Sequence, residues 1–288
     1  MAARPRTLPA AIAPVLVGTA TAIYEASELP RVGGFVAALV GSVFIQIGTN
    51  LANDYSDARR GADTADRLGP VRVTSSGLVA PQRVLVATWV AFGVAVACGI
   101  YLATLAGPVI LLIGALSIAA GVLYTGGPRP YGYAGLGEVF VFLFFGLVAV
   151  NGSYYVQLER IDALPFGLSV AVGMLSTAIL VVNNVRDIET DRRAGKRTLA
   201  VRFGRTRTRR LYAGLIDGGY LVLVATLVVK GGPWWAFLGL LSIPLLGRPM
   251  RAVQTRTDGA ALNGALAGTG ALLAAFSVLV SAGLLIAS

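Results

Sequence analysis

The stretch Asn183-Asn184-Val185-Arg186-Asp187-Ile188-Glu189-Thr190-Asp191 closes an apolar run that begins near residue 164. Its counterpart, Asn53-Asp54-Tyr55-Ser56-Asp57-Ala58-Arg59-Arg60-Gly61-Ala62-Asp63, closes a second such run. Each cluster opens with Asn where hydrocarbon-compatible sequence stops, and each is followed by basic residues. Carboxylates at a bilayer face beside arginines point to divalent cations that hold a phosphorylated substrate at the membrane surface.

Composition supports a membrane setting. Of 288 residues, 56% are hydrophobic and only 13% charged, against about 25% charged in a soluble domain. The mean hydropathy is +0.73. The 36 glycines suit helices that approach one another closely in lipid. There is no histidine, which removes Ser-His-Asp catalysis, His-ligated metals and histidine proton relays. Cys98 is the single cysteine, so no intrachain disulfide forms, and it reads as a small buried hydrophobe.

Apolar windows fall at 8–26, 33–52, 84–105, 107–124, 136–157, 164–184, 211–229, 233–247 and 262–286. They predict an all-α polytopic protein with nine transmembrane helices, forming one transmembrane domain over 1–288. The eighth window is short and contains Pro244, which makes it the weakest span. Arg4 and Arg6 precede the first window as in a signal peptide, but the next span follows almost at once, so that window reads as a retained helix.

The formal net charge of +10 reads as a topology signal, with no nucleic-acid partner expected. Of the 24 Lys and Arg residues, all but Arg31, Arg160 and Lys230 fall in the N-terminus or in alternate connections. That split predicts a cytoplasmic N-terminus and cytoplasmic acidic clusters. Four spans separate the clusters, so their parent helices run in the same sense, and the chain reads loosely as two related halves.

Asn183, Asp187 and Asp191 are spaced i, i+4, i+8, one face of a helix. Carboxylates on neighbouring turns repel unless a cation lies between them, and magnesium is commonly shared between one or two carboxylates and substrate phosphates. Asn53 and Asp57 repeat the step, Asp54 and Asp63 add oxygens, and Gly61 stands where a third stacked carboxylate would fall. Loop charges or helix caps are the plain alternative for one cluster, but a poorer account of two. Lys196, Arg197 and Arg72 are placed to neutralise a leaving diphosphate. Most of the tail from Arg202 to Arg210 reads as topology and lipid contact. The turn Tyr124-Thr125-Gly126-Gly127-Pro128-Arg129-Pro130-Tyr131-Gly132-Tyr133 can present rings to a planar ligand, or form an interfacial tyrosine belt. Glu138 and Asp217 lie in or near apolar windows without an assigned partner.

These motifs resemble the intramembrane aromatic prenyltransferases of the UbiA superfamily. The second motif matches that family's Asn-x-x-x-Asp-x-x-x-Asp pattern at Asn183, Asp187 and Asp191, whereas the first departs from it at Gly61. Within the superfamily, several blocks are similar to the branch acting on 1,4-dihydroxy-2-naphthoate in menaquinone synthesis. They are Arg4-Pro5-Arg6-Thr7-Leu8-Pro9, Asn50-Leu51-Ala52-Asn53-Asp54-Tyr55, Gly69-Pro70-Val71-Arg72-Val73-Thr74, Tyr124-Thr125-Gly126-Gly127-Pro128, Gly135-Leu136-Gly137-Glu138 and Ala194-Gly195-Lys196-Arg197-Thr198-Leu199-Ala200.

The resemblance implies a helical bundle in a bacterial plasma membrane, with a central cavity open to the cytoplasm and sideways to lipid. It implies Mg2+-dependent transfer of a polyprenyl group from polyprenyl diphosphate to 1,4-dihydroxy-2-naphthoate, with loss of carbon dioxide, to give demethylmenaquinone. Asp57, Asp187 and Asp191 are then the expected metal ligands, with Asp54 and Asp63 as further candidates. Asn53 and Asn183 orient metal or phosphate, and Lys196, Arg197 and Arg72 hold diphosphate. Tyr124 and Arg129 are candidates for the naphthoate end. Rival readings are a sister enzyme using 4-hydroxybenzoate or homogentisate, a membrane transporter, and a CDP-alcohol phosphotransferase, whose Asp-x-x-Asp-Gly-x-x-Ala-Arg block is absent here. The motifs leave prenyl length and oligomeric state open.

Overall fold

The structure, a computed structural model, describes residues 4–28, 31–62, 68–69 and 71–288. Asp63, Arg67 and Pro70 of the sequence reading lie outside the described residues. Among the described residues the chain is helical throughout. A 3₁₀ turn, Pro5–Thr7, leads into α1 (Pro9–Ala26). It is followed by α2 (Val32–Arg59), α3 (Pro81–Ala106) and α4 (Val109–Leu123). Next come α5 (Gly137–Leu158), α6 (Ala163–Arg186), the short α7 (Ile188–Arg193) and α8 (Leu199–Lys230), then α9 (Trp234–Thr255) and α10 (Gly259–Ile286). Eight of these are long and apolar enough to cross a bilayer, and α4 is a shorter apolar helix. All nine expected windows thus fall on helices of a multi-pass membrane protein.

By length the weak span is α4, although the helix of the eighth window remains the least apolar of the eight long ones. At 15 residues, α4 reaches only about 22 Å. The eighth window gains length instead. Trp234–Leu246 winds as a 3₁₀ helix of 13 residues through Pro244, and its steeper rise of about 2.0 Å per residue carries it about 26 Å before it continues as α helix.

Burial ranks the helices. In α6, 72% of the apolar window is buried, against 28% in α3. α6 is therefore the axis, packed on α8, α10, α1 and α5, while α3 turns Val86, Trp89 and Val90 outward. Lipid is as apolar as these side chains, so helix association here rests on close packing. α5 shows how close it becomes: it widens to a π-helical turn over Phe142–Val148, and Gly146 meets Gly173 of α6. A Cβ built on Gly146 would stand 2.5 Å from the Gly173 Cα.

α2 runs through the first cluster to Arg59 rather than ending near 52. α8 begins at Leu199, so the basic tail 202–210 is helical, bent at Gly204 (φ 75°, ψ 166°). The i, i+4, i+8 stack expected on one continuous helix is interrupted, because α6 ends at Arg186 with Asp187 (φ −97°, ψ 9°) as the joint to α7. The bonds Asp187 N–H to Asn183 O (3.1 Å) and Asp191 N–H to Asp187 O (2.8 Å) bridge the joint, so the register survives the break.

Replacing Gly146 with Val should separate α5 from α6. We expect a loss of about 1–3 kcal/mol, read as a lowered midpoint of thermal unfolding in detergent; an unchanged midpoint would contradict the close contact.

Candidate active site

α2 and α6 end at the same mouth of the bundle, and their terminal residues line one cavity. Asn53 and Asp57 enter it from α2, and Asn183, Asp187 and Asp191 from the α6–α7 joint. Arg72, Tyr124 and Lys196 line it too.

Asp57 is 1% exposed. Its Oδ2 accepts from Arg72 Nη2 at 2.8 Å and from Lys196 Nζ at 3.3 Å, and its Oδ1 accepts from the Tyr133 hydroxyl at 2.7 Å. Lys196 also stands 4.7 Å over the Tyr133 ring, a cation–π contact. Local backbone explains how these groups arrive. α2 stops because Gly61 takes a left-handed φ of 63°, the usual helix-ending conformation. The i+8 position of the first motif is thus past the helix end, and no third carboxylate stacks there. Gly195 (φ 73°) turns the chain after α7 and delivers Lys196. The Arg197 N–H then donates to Tyr133 O at 2.8 Å, docking the link on the α4–α5 turn.

The second motif is held by Arg186, which is 2% exposed. Its guanidinium grips Asp187 through Nε–Oδ1 (2.8 Å) and Nη2–Oδ2 (2.6 Å), and also reaches Asn183 Oδ1 and Asn263 Oδ1, both at 2.7 Å. This fork is the geometry that favours Arg over Lys. Asn53 Oδ1 likewise accepts from the Thr125 hydroxyl at 2.9 Å. With their carbonyl oxygens engaged, both motif asparagines offer amide N–H donors to the cavity, which suit phosphate oxygens better than a metal.

Several expected residues stand apart. Asp54 is not in the cavity wall: its oxygens accept from the Val73 N–H (3.2 Å) and the Thr74 N–H (3.0 Å). It ties down the loop that carries Arg72. Arg129 and Arg197 have exposed side chains outside the cavity. Among the described residues no three acidic side chains lie close enough to hold a cation alone.

Other groups went unassigned in the sequence. Tyr131 stacks on Phe140 at 3.9 Å and meets Tyr124 edge-on at 5.4 Å. With Phe144 they make an aromatic wall. Glu138 is buried. Its Oε1 accepts from Asn184 Nδ2 at 2.8 Å, and its Oε2 is buried without a partner. Tyr133 and Arg186 lay in quoted motifs, but nothing in residue type alone marks which tyrosine or arginine turns inward.

Known proteins place the chain in context. The model of the UbiA prenyltransferase family matches residues 11–263. A 1,4-dihydroxy-2-naphthoate octaprenyltransferase of Mycobacterium leprae is 44% identical, covering 99% of this chain and 95% of that protein. The Escherichia coli protein of the same name is 41% identical over 94% and 90%. Among solved structures, a UbiA homolog from Aeropyrum pernix, in its apo form, superposes with a TM-score of 0.68 at 14% identity, covering 97% of each chain. One from Archaeoglobus fulgidus bound to GPP and Mg2+ superposes at 0.60 and 14% identity, covering 97% of this chain and 98% of that one.

Asp54→Ala leaves two buried N–H groups unpaired. It should lower stability by about 1–3 kcal/mol and open the loop around Arg72 to limited proteolysis; an equally resistant loop would refute the anchoring role.

Proposed function

The chain belongs to the UbiA prenyltransferase family, and we propose that it transfers a polyprenyl group from polyprenyl diphosphate to 1,4-dihydroxy-2-naphthoate with loss of carbon dioxide. The observation that carries the reading is that Asp57, Asp187 and Asp191, from two distant motifs, line one cavity with Arg72 and Lys196.

The donor set suits Mg2+. Magnesium takes oxygen ligands, keeps waters, and is held by one or two carboxylates together with substrate phosphates. Carboxylates divided between two motifs, none complete as a cage, fit a cation completed by the diphosphate. Asp57 on one side and Asp187 and Asp191 on the other would hold it. Bound there, it draws off the charge that develops on the leaving diphosphate.

The chain's own residues do the rest. Lys196 and Arg72 face the same leaving group as fixed positive charges. Asn53 and Asn183 donate N–H bonds to its oxygens. The carbon–oxygen bond to diphosphate breaks with its electron pair on oxygen, and the allylic carbon becomes cationic. The Tyr131–Phe140–Phe144 wall lies beside that carbon's hydrocarbon tail. Aromatic faces tolerate positive charge, and an apolar cavity keeps water from the cation. The ring carbon then bonds to the prenyl carbon. The bond to the carboxylate breaks, its electrons return to the ring, and carbon dioxide leaves. The product is the reduced form of demethylmenaquinone, so no oxidant is needed. The mouth faces the cytoplasm, where all but three of the basic residues fall in the topology reading.

Two measurements test this. Membranes containing the protein, given labelled polyprenyl diphosphate with 1,4-dihydroxy-2-naphthoate, 4-hydroxybenzoate or homogentisate, should prenylate the naphthoate; product from only another acid would overturn the acceptor. Asp187→Asn keeps an oxygen for Arg186 but removes the charge. It should lower kcat about 100-fold or more at normal protein level, whereas retained turnover would remove Asp187 from the metal site.

A further inference from the structure

α6 carries two neighbouring asparagines into the cavity, Asn183 and Asn184, and the fold presents them with opposite polarity. Arg186 Nη2 donates to Asn183 Oδ1 at 2.7 Å, which leaves the Asn183 N–H groups for the cavity. Asn184 is turned the other way. Its Nδ2 donates to Glu138 Oε1 of α5 at 2.8 Å. Among the described residues its Oδ1 accepts from nothing, yet that oxygen is not sealed from open space. Asn184 is 4% exposed, and the open space beside it is the cavity. An amide oxygen in so apolar a setting costs stability unless it meets a donor.

Glu138 keeps the amide in this orientation. Its carboxyl group stands at the second residue of α5, buried, with Oε2 sealed and without a partner. Turning the amide would set Asn184 Oδ1, a second acceptor, against Oε1 and leave both oxygens unpaired. The nitrogen therefore stays on α5 and the oxygen on the cavity.

Tyr124 marks the same place independently. Its ring passes between two glycines. A Cβ on Gly132 would lie 2.9 Å from Tyr124 Cε2, and one on Gly137 would lie 3.2 Å from that atom and 3.5 Å from the hydroxyl oxygen. Tyr124 lines the cavity, and its hydroxyl makes no hydrogen bond among the described residues. Asn184 is three residues before Asp187, about 4.5 Å along the helix axis. These open polar groups therefore lie next to the proposed metal end, where an acceptor ring must meet the allylic carbon.

We infer that Asn184 Oδ1 accepts a hydrogen bond from a ring hydroxyl of the aromatic acceptor, and that Glu138 is the positioning residue that holds the amide for it. The inference rests on the proposed acceptor class and adds how that class is recognised. The pair acts in choosing the acceptor, not in bond breaking. A ring hydroxyl can donate to the oxygen, whereas an ether at the same position has no proton to give.

The test uses the full-length protein in detergent, as wild type, Glu138→Met and Glu138→Gln. The KM for 1,4-dihydroxy-2-naphthoate is compared with the inhibition constants of its two monomethyl ethers. In wild type one ether should bind about tenfold or more weaker than the dihydroxy acid. Glu138→Met removes the acceptor on α5 and lets the amide turn an N–H toward an ether oxygen, so that ratio should fall to about twofold or less. Glu138→Gln can offer Asn184 either an oxygen or an N–H. It should lower the ratio less, and it carries the comparison if the first variant does not fold. The KM for prenyl diphosphate should stay unchanged in both. Equal weakening of all three aromatics, or ratios as in wild type, would make the pair merely structural. A raised KM for prenyl diphosphate would assign Asn184 to the diphosphate set. Any of these overturns the inference. Wild-type turnover of the dihydroxy acid in the same assay tests the functional reading separately.

Discussion

The Asp57 carboxylate is where the structure converges. It is 1% exposed, and an ion so far from water is unstable unless paired and hydrogen-bonded. The chain meets that demand from three segments far apart in sequence: Arg72 from the α2–α3 connection, Tyr133 from the α4–α5 turn, and Lys196 from the link before α8. Satisfying one buried charge therefore draws the connections of both acidic motifs to one mouth. Arg186 repeats the device on Asp187. Each motif enters the cavity with its own cation beside it, so the proposed diphosphate would meet positive groups already positioned.

A second consequence is the division of the cavity. Small residues bring α5 onto α6, and the π-helical turn presents Phe144 and Phe145 inward. α2 contributes a polar face instead. One wall is thus aromatic and the other polar, and the two acidic motifs line the same cavity.

Much of this was legible in the sequence. The windows found the helices because lipid demands long apolar runs, and the Asn-led spacing singled out Asp57, Asp187 and Asp191, which the fold brings to the wall of one cavity. Other parts were not legible. Asp54 and Asp57 are the same residue type three positions apart, yet one binds backbone and the other lines the cavity; only the direction of each side chain on α2 separates them. Arg129 sits in the right motif but faces outward, whereas Tyr133, four residues on, reaches Asp57. Arg4 read as a topology charge because its place in the cavity wall is a tertiary fact. α4 looked like an ordinary span because composition does not report where Gly107 and the α4–α5 turn cut it short.

The central claim is that the two motifs grip one ligand together. A double-mutant cycle on binding of a non-reacting prenyl thiodiphosphate in the presence of Mg2+ tests it most directly, with Asp57→Asn, Asp187→Asn and the pair. Groups sharing a ligand are coupled, so the account predicts losses that fail to add by about 0.5–3 kcal/mol. Strictly additive losses would mean that the two carboxylates act on separate ligands, and would contradict it.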